Sequence, residues 1–127
     1  MGMFQVRVRV ENQSAPERSF EDRFWVDTGA VYSLVPEDRL TAIGLAPSAE
    51  RRLTYADGRV EKRGIASAVF QVEGISERMP CPVIFGAPGS MCLLGATALE
   101  AFGVDADPTS GKLKPTFSII GGFRASR

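Results

Sequence analysis

One stretch of this chain sets an acid where an acid could work: Phe24-Trp25-Val26-Asp27-Thr28-Gly29-Ala30. A bulky apolar strand runs into a carboxylate, and the glycine two residues later lets backbone approach closely. That pattern can present Asp27 from a rigid element into a cleft. Thr28 can hydrogen-bond backbone or a neighbouring chain while its methyl packs. The chain has no histidine, which removes Ser-His-Asp and Cys-His nucleophile systems, histidine metal sites and histidine bases. Carboxylates, lysines and tyrosines are what remain for acid–base work. One carboxylate cannot be acid and base at once, so amide hydrolysis at Asp27 needs a second. Two carboxyls about 3 Å apart share a proton because both cannot readily ionise. One then takes a proton from water while the other gives one to the carbonyl oxygen.

No second Asp-Thr-Gly or Asp-Ser-Gly occurs, so such a dyad requires two copies of the chain about a twofold axis. Asp57-Gly58 lacks the intervening hydroxyl residue, and Asp105 and Asp107 fall in a strand and a turn. The plain alternative is that Asp27-Thr28-Gly29 is an ordinary turn at a strand end.

Composition narrows the field. Of 127 residues, 44% are hydrophobic and 24% charged, with 15 basic and 15 acidic residues in balance. This is the profile of a globular domain, and residues 1–127 read as a single one. No net field and no basic run exists to attract nucleic acid or an anionic membrane, so neither is expected as a partner. Cys81 and Cys92 are too few for a zinc site, and each lies in an apolar stretch, where a buried thiol is the expectation; a disulfide between them stays open. Met1 to Val10 alternates rather than forming a signal peptide, and no apolar stretch approaches membrane-spanning length. A cytoplasmic location is the default expectation.

The elements that must position Asp27 are mostly strands. Phe4, Val6, Val8 and Val10 alternate with polar residues, the period of a half-buried strand. The polar run from Asn12 to Asp22, with Pro16, reads as a loop, followed by a short strand from Arg23 to Val26. Val31 to Val35 leads to a helix opened by Pro36, Glu37 and Asp38 and closed by Gly44. Arg51 to Ala66 reads as a hairpin whose Asp57-Gly58 suits a two-residue turn with positive φ. Strands from Ala66 to Glu73, Met79 to Phe85 and Met91 to Leu94 follow. A second short helix carries Thr97 and Glu100 at capping-box spacing and stops at Gly103. A turn over Asp107 to Gly111 and a terminal strand from Thr116 to Ile120 complete the chain. Two short helices ending in Ile43-Gly44-Leu45 and Phe102-Gly103-Val104 suggest a weak internal repeat.

In this order and spacing the sequence resembles the retropepsin-like aspartic proteases, the retroviral enzymes and their small cellular relatives. Asp27-Thr28-Gly29-Ala30 is similar to the family's active-site turn, Tyr55 to Val60 falls where its flap tip belongs, and Leu93-Leu94-Gly95 matches its second motif. The resemblance runs from Val6 to about Pro115. It implies a mostly β acid-protease half-barrel with a flap hairpin and one or two short helices. It also implies a homodimeric aspartic endopeptidase acting on a peptide or protein substrate without metal or cofactor. By the same resemblance Asp27 is the catalytic acid and base, Thr28 interlocks with its twin, and Gly29 lines the substrate backbone. Ala30, Tyr55, Ala56, Asp57 and Gly58 contact substrate, and Leu93, Leu94 and Gly95 support the catalytic turn.

Two departures stand out. Ala96 and Thr97 follow the second glycine where retroviral enzymes carry a dimer-bracing arginine, and the flap tip is Asp-Gly-Arg rather than apolar. Dimer contacts are expected instead from edge strands, Met3 to Val10 and Thr116 to Ile120. Ala30 stands where pepsin-like enzymes place a hydroxyl that favours the charged carboxylate, so the cleavage optimum is expected nearer neutral than pepsin's. Two further readings remain beside the endopeptidase: a retropepsin-fold dimerisation or peptide-binding module with little or no cleavage, and a structural β-barrel.

Overall fold

The computed structural model describes residues 3–116. The chain runs β1 (Gln5–Asn12), β2 (Ala15–Val26), β3 (Ser33–Pro36), α1 (Glu37–Ala42), β4 (Ala49–Thr54), β5 (Val60–Val72), β6 (Met79–Gly86), β7 (Leu93–Leu94), α2 (Ala96–Phe102), β8 (Val104–Asp107) and β9 (Lys112–Pro115). Seven strands form one sheet in the order β1-β2-β7-β3-β6-β5-β4, and a further pairing of β1 with β5 joins its two sides into a closed circuit. The fold is mostly β with two short helices, as the sequence implies.

Alternation does the building. In β1, Val6, Val8 and Val10 point inward and are buried, meeting Phe24 and Val26 of β2 and Phe70 and Val72 of β5 in one core. The Phe24 and Phe70 rings meet edge-on, centroids 6.0 Å apart, the arrangement the ring quadrupole favours. β5 changes partners along its length, pairing with β4 from Val60 to Ile65, with β6 from Ile65 to Phe70 and with β1 from Val69 to Val72. One thirteen-residue strand therefore ties the outermost hairpin to the core.

The expected loop from Asn12 to Asp22 is instead the greater part of β2, antiparallel to β1 from Gln5↔Trp25 to Glu11↔Ser19. Its polar residues mislead because pairing with an apolar strand outweighs local composition. Pro16 lies beyond that regular ladder, where the register shifts after Glu11, so its missing N–H costs no bond there. The strands expected from Val60 to Lys62 and from Ala66 to Glu73 are likewise one strand, continuous through Gly64.

Both helices end at glycine, as read. Leu45 N–H reaches Leu40 O at 3.0 Å and Gly44 N–H reaches Thr41 O at 2.9 Å, the paired bonds of a Schellman ending. The capping box at the start of α2 does not form: Gly95 is the N-cap, with no side-chain cap, and the Thr97 hydroxyl has no hydrogen-bond partner. Asp107 closes the β8–β9 turn as expected, accepting from Thr109 N–H and the Ser110 hydroxyl, each at 3.0 Å.

β1 is not the free edge expected of Met3 to Val10. It is covered by β2 on one side and, from Val8 to Glu11, by β5 on the other, because its valines belong to the core. The expected terminal strand from Thr116 to Ile120 lies almost wholly outside the described residues.

Candidate active site

The end of β2 is held on both sides before the chain turns. Trp25 and Val26 run parallel to Leu93 and Leu94 of β7. Trp25 N–H donates to Cys92 O at 3.0 Å, Val26 N–H to Phe4 O at 2.9 Å and Asp27 N–H to Leu94 O at 2.9 Å. The turn then closes on itself: Ala30 N–H donates to Asp27 O at 3.2 Å, and Gly29 N–H donates to the Asp27 carboxylate Oδ1 at 3.0 Å. Beyond the turn, Ala96 N–H reaches Ala30 O at 2.8 Å and Thr97 N–H reaches Val31 O at 2.9 Å. The amides at the start of α2, which have no partner inside a helix, are thus used to clamp the segment carrying the carboxylate.

Leu93-Leu94-Gly95 is what makes that clamp possible. Leu94 is buried in the core and its carbonyl holds Asp27. A Cβ at Gly95 would lie 2.5 Å from both the C and O atoms of Tyr32, so no side chain fits there without moving backbone. Gly95 N–H donates to the Ser33 hydroxyl at 3.0 Å, a buried bond. Ser33 is fully buried, and its role is one that sequence reading missed. Serine three residues after an alanine carries no periodic signal, and its partner is 62 residues away.

Above the turn lies a cleft of about 640 Å³, lined by Asp27, Gly29 and Ala30 of the turn, Val31, Tyr32 and Leu34 after it, Arg52 to Ala56 of the flap hairpin, and Ile84 and Leu93. Six residues singled out from sequence meet here: Asp27, Gly29, Ala30, Tyr55, Ala56 and Leu93. Thr28 is exposed and lies outside the lining, as do Asp57 and Gly58. Of the aliphatic wall of Leu34, Leu53, Ile84 and Leu93, the first three went unassigned because each looks like ordinary core in one dimension, and Leu93 was expected only as support beneath the turn.

The flap tip differs from the expected two-residue turn. Gly58 N–H donates to Tyr55 O at 2.9 Å and Tyr55 N–H to Arg59 O at 2.8 Å, while positive φ occurs only at Gly58, +89°. This is a turn over Ala56 and Asp57 followed by one left-handed glycine, the three-residue hairpin loop. Asp57 accepts from Arg59 N–H at 3.0 Å and Arg59 Nε at 2.9 Å, and these bonds hold its carboxyl below the usual range. The Arg59 guanidinium lies 4.5 Å from the centre of the Tyr55 ring, within cation–π range. The Tyr55 hydroxyl donates to Glu61 at 2.7 Å. That bond, reinforced by burial, raises the phenol above its ordinary value and keeps it protonated.

Neither cysteine is poised for chemistry. Cys81 and Cys92 are free and buried. Burial pushes their thiols up to about 12 and about 11, the Asp22 charge adding to the second, so neither is a thiolate nucleophile near neutral pH. No group of three or more His, Cys, Asp or Glu side chains suited to a metal occurs among the described residues. No helix among them is long and apolar enough to cross a membrane.

Residues 19–101 match the protein family described as "gag-polyprotein putative aspartyl protease". The chain belongs to the retropepsin-like aspartic proteases. Solved structures of similar fold come from a virus, a bacterium and a protozoan. The simian foamy virus protease is 17% identical with a TM-score of 0.53, covering 76% of this chain and 91% of that one. A retropepsin-like aspartic protease from Rickettsia conorii is 17% identical with a TM-score of 0.53, covering 84% and 88%. The retroviral protease-like domain of Ddi1 from Leishmania major is 16% identical with a TM-score of 0.59, covering 97% and 99%. Comparison with curated protein sequences gave no match. Within this retropepsin-like chain, Asp27 falls inside the matched residues and is the one carboxylate among the described residues lining the cleft.

Proposed function

We propose that the chain, residues 1–127 as one domain, is half of an aspartic endopeptidase, and that two copies bring their Asp27 carboxyls face to face to hydrolyse peptide bonds. One carboxylate deprotonates a water while the other, protonated, donates to the scissile carbonyl oxygen; as the tetrahedral intermediate collapses, the leaving nitrogen takes up a proton. The observation carrying this reading is Asp27 in the cleft wall, its turn clamped by backbone bonds and one carboxylate oxygen anchored by Gly29 N–H. The other oxygen takes no hydrogen bond from the described residues. A rigidly presented carboxylate with one uncommitted oxygen suits a shared proton.

The unpaired surroundings of the turn support a twin. Thr28 is exposed, and Val31, beside the turn, is 62% exposed, so both are free to be covered by a second copy. In this reading Thr28 interlocks with its counterpart, Gly29 and Ala30 line the peptide backbone, and Tyr55 and Ala56 press on the substrate from above. Asp57 and Gly58 shape the flap tip that closes over it.

A second reading, peptide binding or dimerisation with little turnover, is favoured by the flap tip, whose Asp57, Arg59 and Tyr55 are engaged with one another. One experiment separates the two. A mixed peptide library is digested with the wild type and with Asp27→Asn, and both proteins are weighed by sedimentation equilibrium. Both are expected to dimerise, with cleavage falling at least about a thousandfold in Asp27→Asn. A dimer that cleaves nothing transfers the assignment to the binding module. A chain monomeric at every concentration leaves the dyad without its second carboxylate.

A further inference from the structure

Charge along the flap arm is arranged against its own stability. In the β4–β5 hairpin Arg51 stands opposite Arg63 and Arg52 opposite Lys62, and like charges directly across a ladder repel. Seven cations have acidic partners: Arg7, Arg9, Arg39, Arg59, Arg63, Arg78 and Lys114 each lie within 4.0 Å of a carboxylate, whereas Arg18, Arg23 and Lys112, among the described residues, do not. Arg51, Arg52 and Lys62 have none among the described residues. Arg63 is drawn off to Glu37 at 2.7 Å and to the Phe85 carbonyl at 2.8 Å, which leaves Arg51 as the uncompensated cation on its face of the arm.

That face looks into the cleft. Side chains alternate along a strand, so Arg51 shares a side with Leu53, which is half-buried in the cleft wall. Arg51 Nε lies 3.4 Å from the hydroxyl of Tyr32, itself a cleft residue, and its Nη1 donates to the Glu50 carbonyl at 2.9 Å. Both partners are neutral, and the first bond is long for a hydrogen bond. Arg51 itself stands outside the cleft lining, at the rim beside Tyr32; Arg52, one residue out of phase and exposed, is among the residues lining the cleft, and Lys62 opposite it is exposed and outside that lining.

We propose that Arg51, positioned by Tyr32 at the cleft rim, is a specificity residue that takes an acidic side chain of the bound peptide next to an apolar centre held by Leu34, Leu53, Ile84 and Leu93. A carboxylate replaces a long bond to a phenol by a charge-assisted, bidentate one. It also relieves the Arg51–Arg63 repulsion. The inference rests on the reading of the cleft as the peptide site, but not on turnover.

The test uses two fluorescent peptide libraries with the same randomised apolar centre, flanked by glutamate in one and by glutamine in the other. Binding is read by anisotropy with the Asp27→Asn protein, and cleavage with the Asp27 protein. The glutamate library is expected to bind about fivefold tighter at low salt, and to lose that preference in 0.5 M NaCl (roughly a 4 Å screening length). Arg51→Gln in either background should bring the ratio to about one, Arg51→Lys should keep part of it, and Lys62→Gln, outside the cleft lining, should leave most of it. Equal binding of both libraries overturns the proposal, as does a preference that survives Arg51→Gln or is abolished equally by Lys62→Gln. Cleavage of both libraries at equal rates refutes the specificity and leaves the endopeptidase standing. A glutamate preference with no Asp27-dependent cleavage does the reverse.

Discussion

The Asp27 turn and the tip of the β4–β5 hairpin are both short loops at the same cleft, yet they are held in opposite ways. Residues 27–31 are stitched by backbone bonds to residues 94–97, more than sixty positions away in the chain. The bonds of residues 55–61 at the tip run to one another, from Tyr55 to Gly58, Arg59 and Glu61 and from Asp57 to Arg59. The turn therefore cannot move without opening the core, whereas the tip can lift as a unit with its internal bonds intact. Local opening costs little where no long-range contact is broken. A site that must fix its carboxylate and still admit a peptide needs both kinds of loop.

The sharpest way to break this contrast is Gly95→Ala. With a Cβ 2.5 Å from Tyr32 backbone atoms, the clamp must shift, at an expected cost of about 3 kcal/mol in urea unfolding with cleavage lost in the same variant. Insertion of the methyl without cost would show that the clamp is slack. Ser33→Ala removes the hydroxyl that accepts from buried Gly95 N–H and should cost about 2 kcal/mol by leaving that donor unpaired. It should also lower kcat, whereas a pure stability loss would make Ser33 part of the scaffold alone.

Glu11 tests the strand common to both regions, since β1 pairs with β2 below the turn and with the far end of the flap strand. Its side chain is 5% exposed and pairs with Arg9 at 2.7 Å and with Arg78. Burial raises its carboxyl, but the hydrogen bonds and charges of the two arginines prevail and hold it below its ordinary value. A carboxyl lowered by folding stabilises fully above its unfolded value and stops doing so as pH falls through its folded one. Glu11→Gln should thus cost about 1.5 kcal/mol at pH 7, and the gap from wild type should close as pH falls through the carboxylate range; a gap constant with pH would contradict the pairing. The smallest effect is expected at the tip. Tyr55→Phe frees Glu61 from its 2.7 Å bond and should raise KM about threefold with kcat nearly unchanged. A large fall in kcat would mean that the tip is as rigidly tied to the chemistry as the turn.

Much of this was legible in one dimension, and the failures share a cause. Asp27, its glycine, the hairpin of the flap and both helix ends were readable because turns, helix stops and strand alternation are local, set by the conformational limits of a few neighbouring residues. The stretch from Asn12 to Asp22 was misread because its strand is created by its partner. Thr97 looked like a cap, yet its amide rather than its hydroxyl does the bonding, to Val31 across the site. The flap turn was placed correctly, but its hydrogen bonds decided which residue takes positive φ.

By itself the amino-acid sequence determined that catalysis, if present, rests on carboxylates, lysines or tyrosines, since histidine is absent and both cysteines lie in apolar stretches. It also determined that any dyad of Asp-Thr-Gly aspartates must come from two chains, since the motif occurs once. Only the tertiary structure decided that Ser33 anchors Gly95 beside the turn, that Asp57 is spent on Arg59, and that Arg51 reaches the hydroxyl of Tyr32 at the cleft rim. These are relations between residues far apart in the chain or on one side of a strand, and close approach in space follows from packing the whole circuit of strands, which no local pattern encodes.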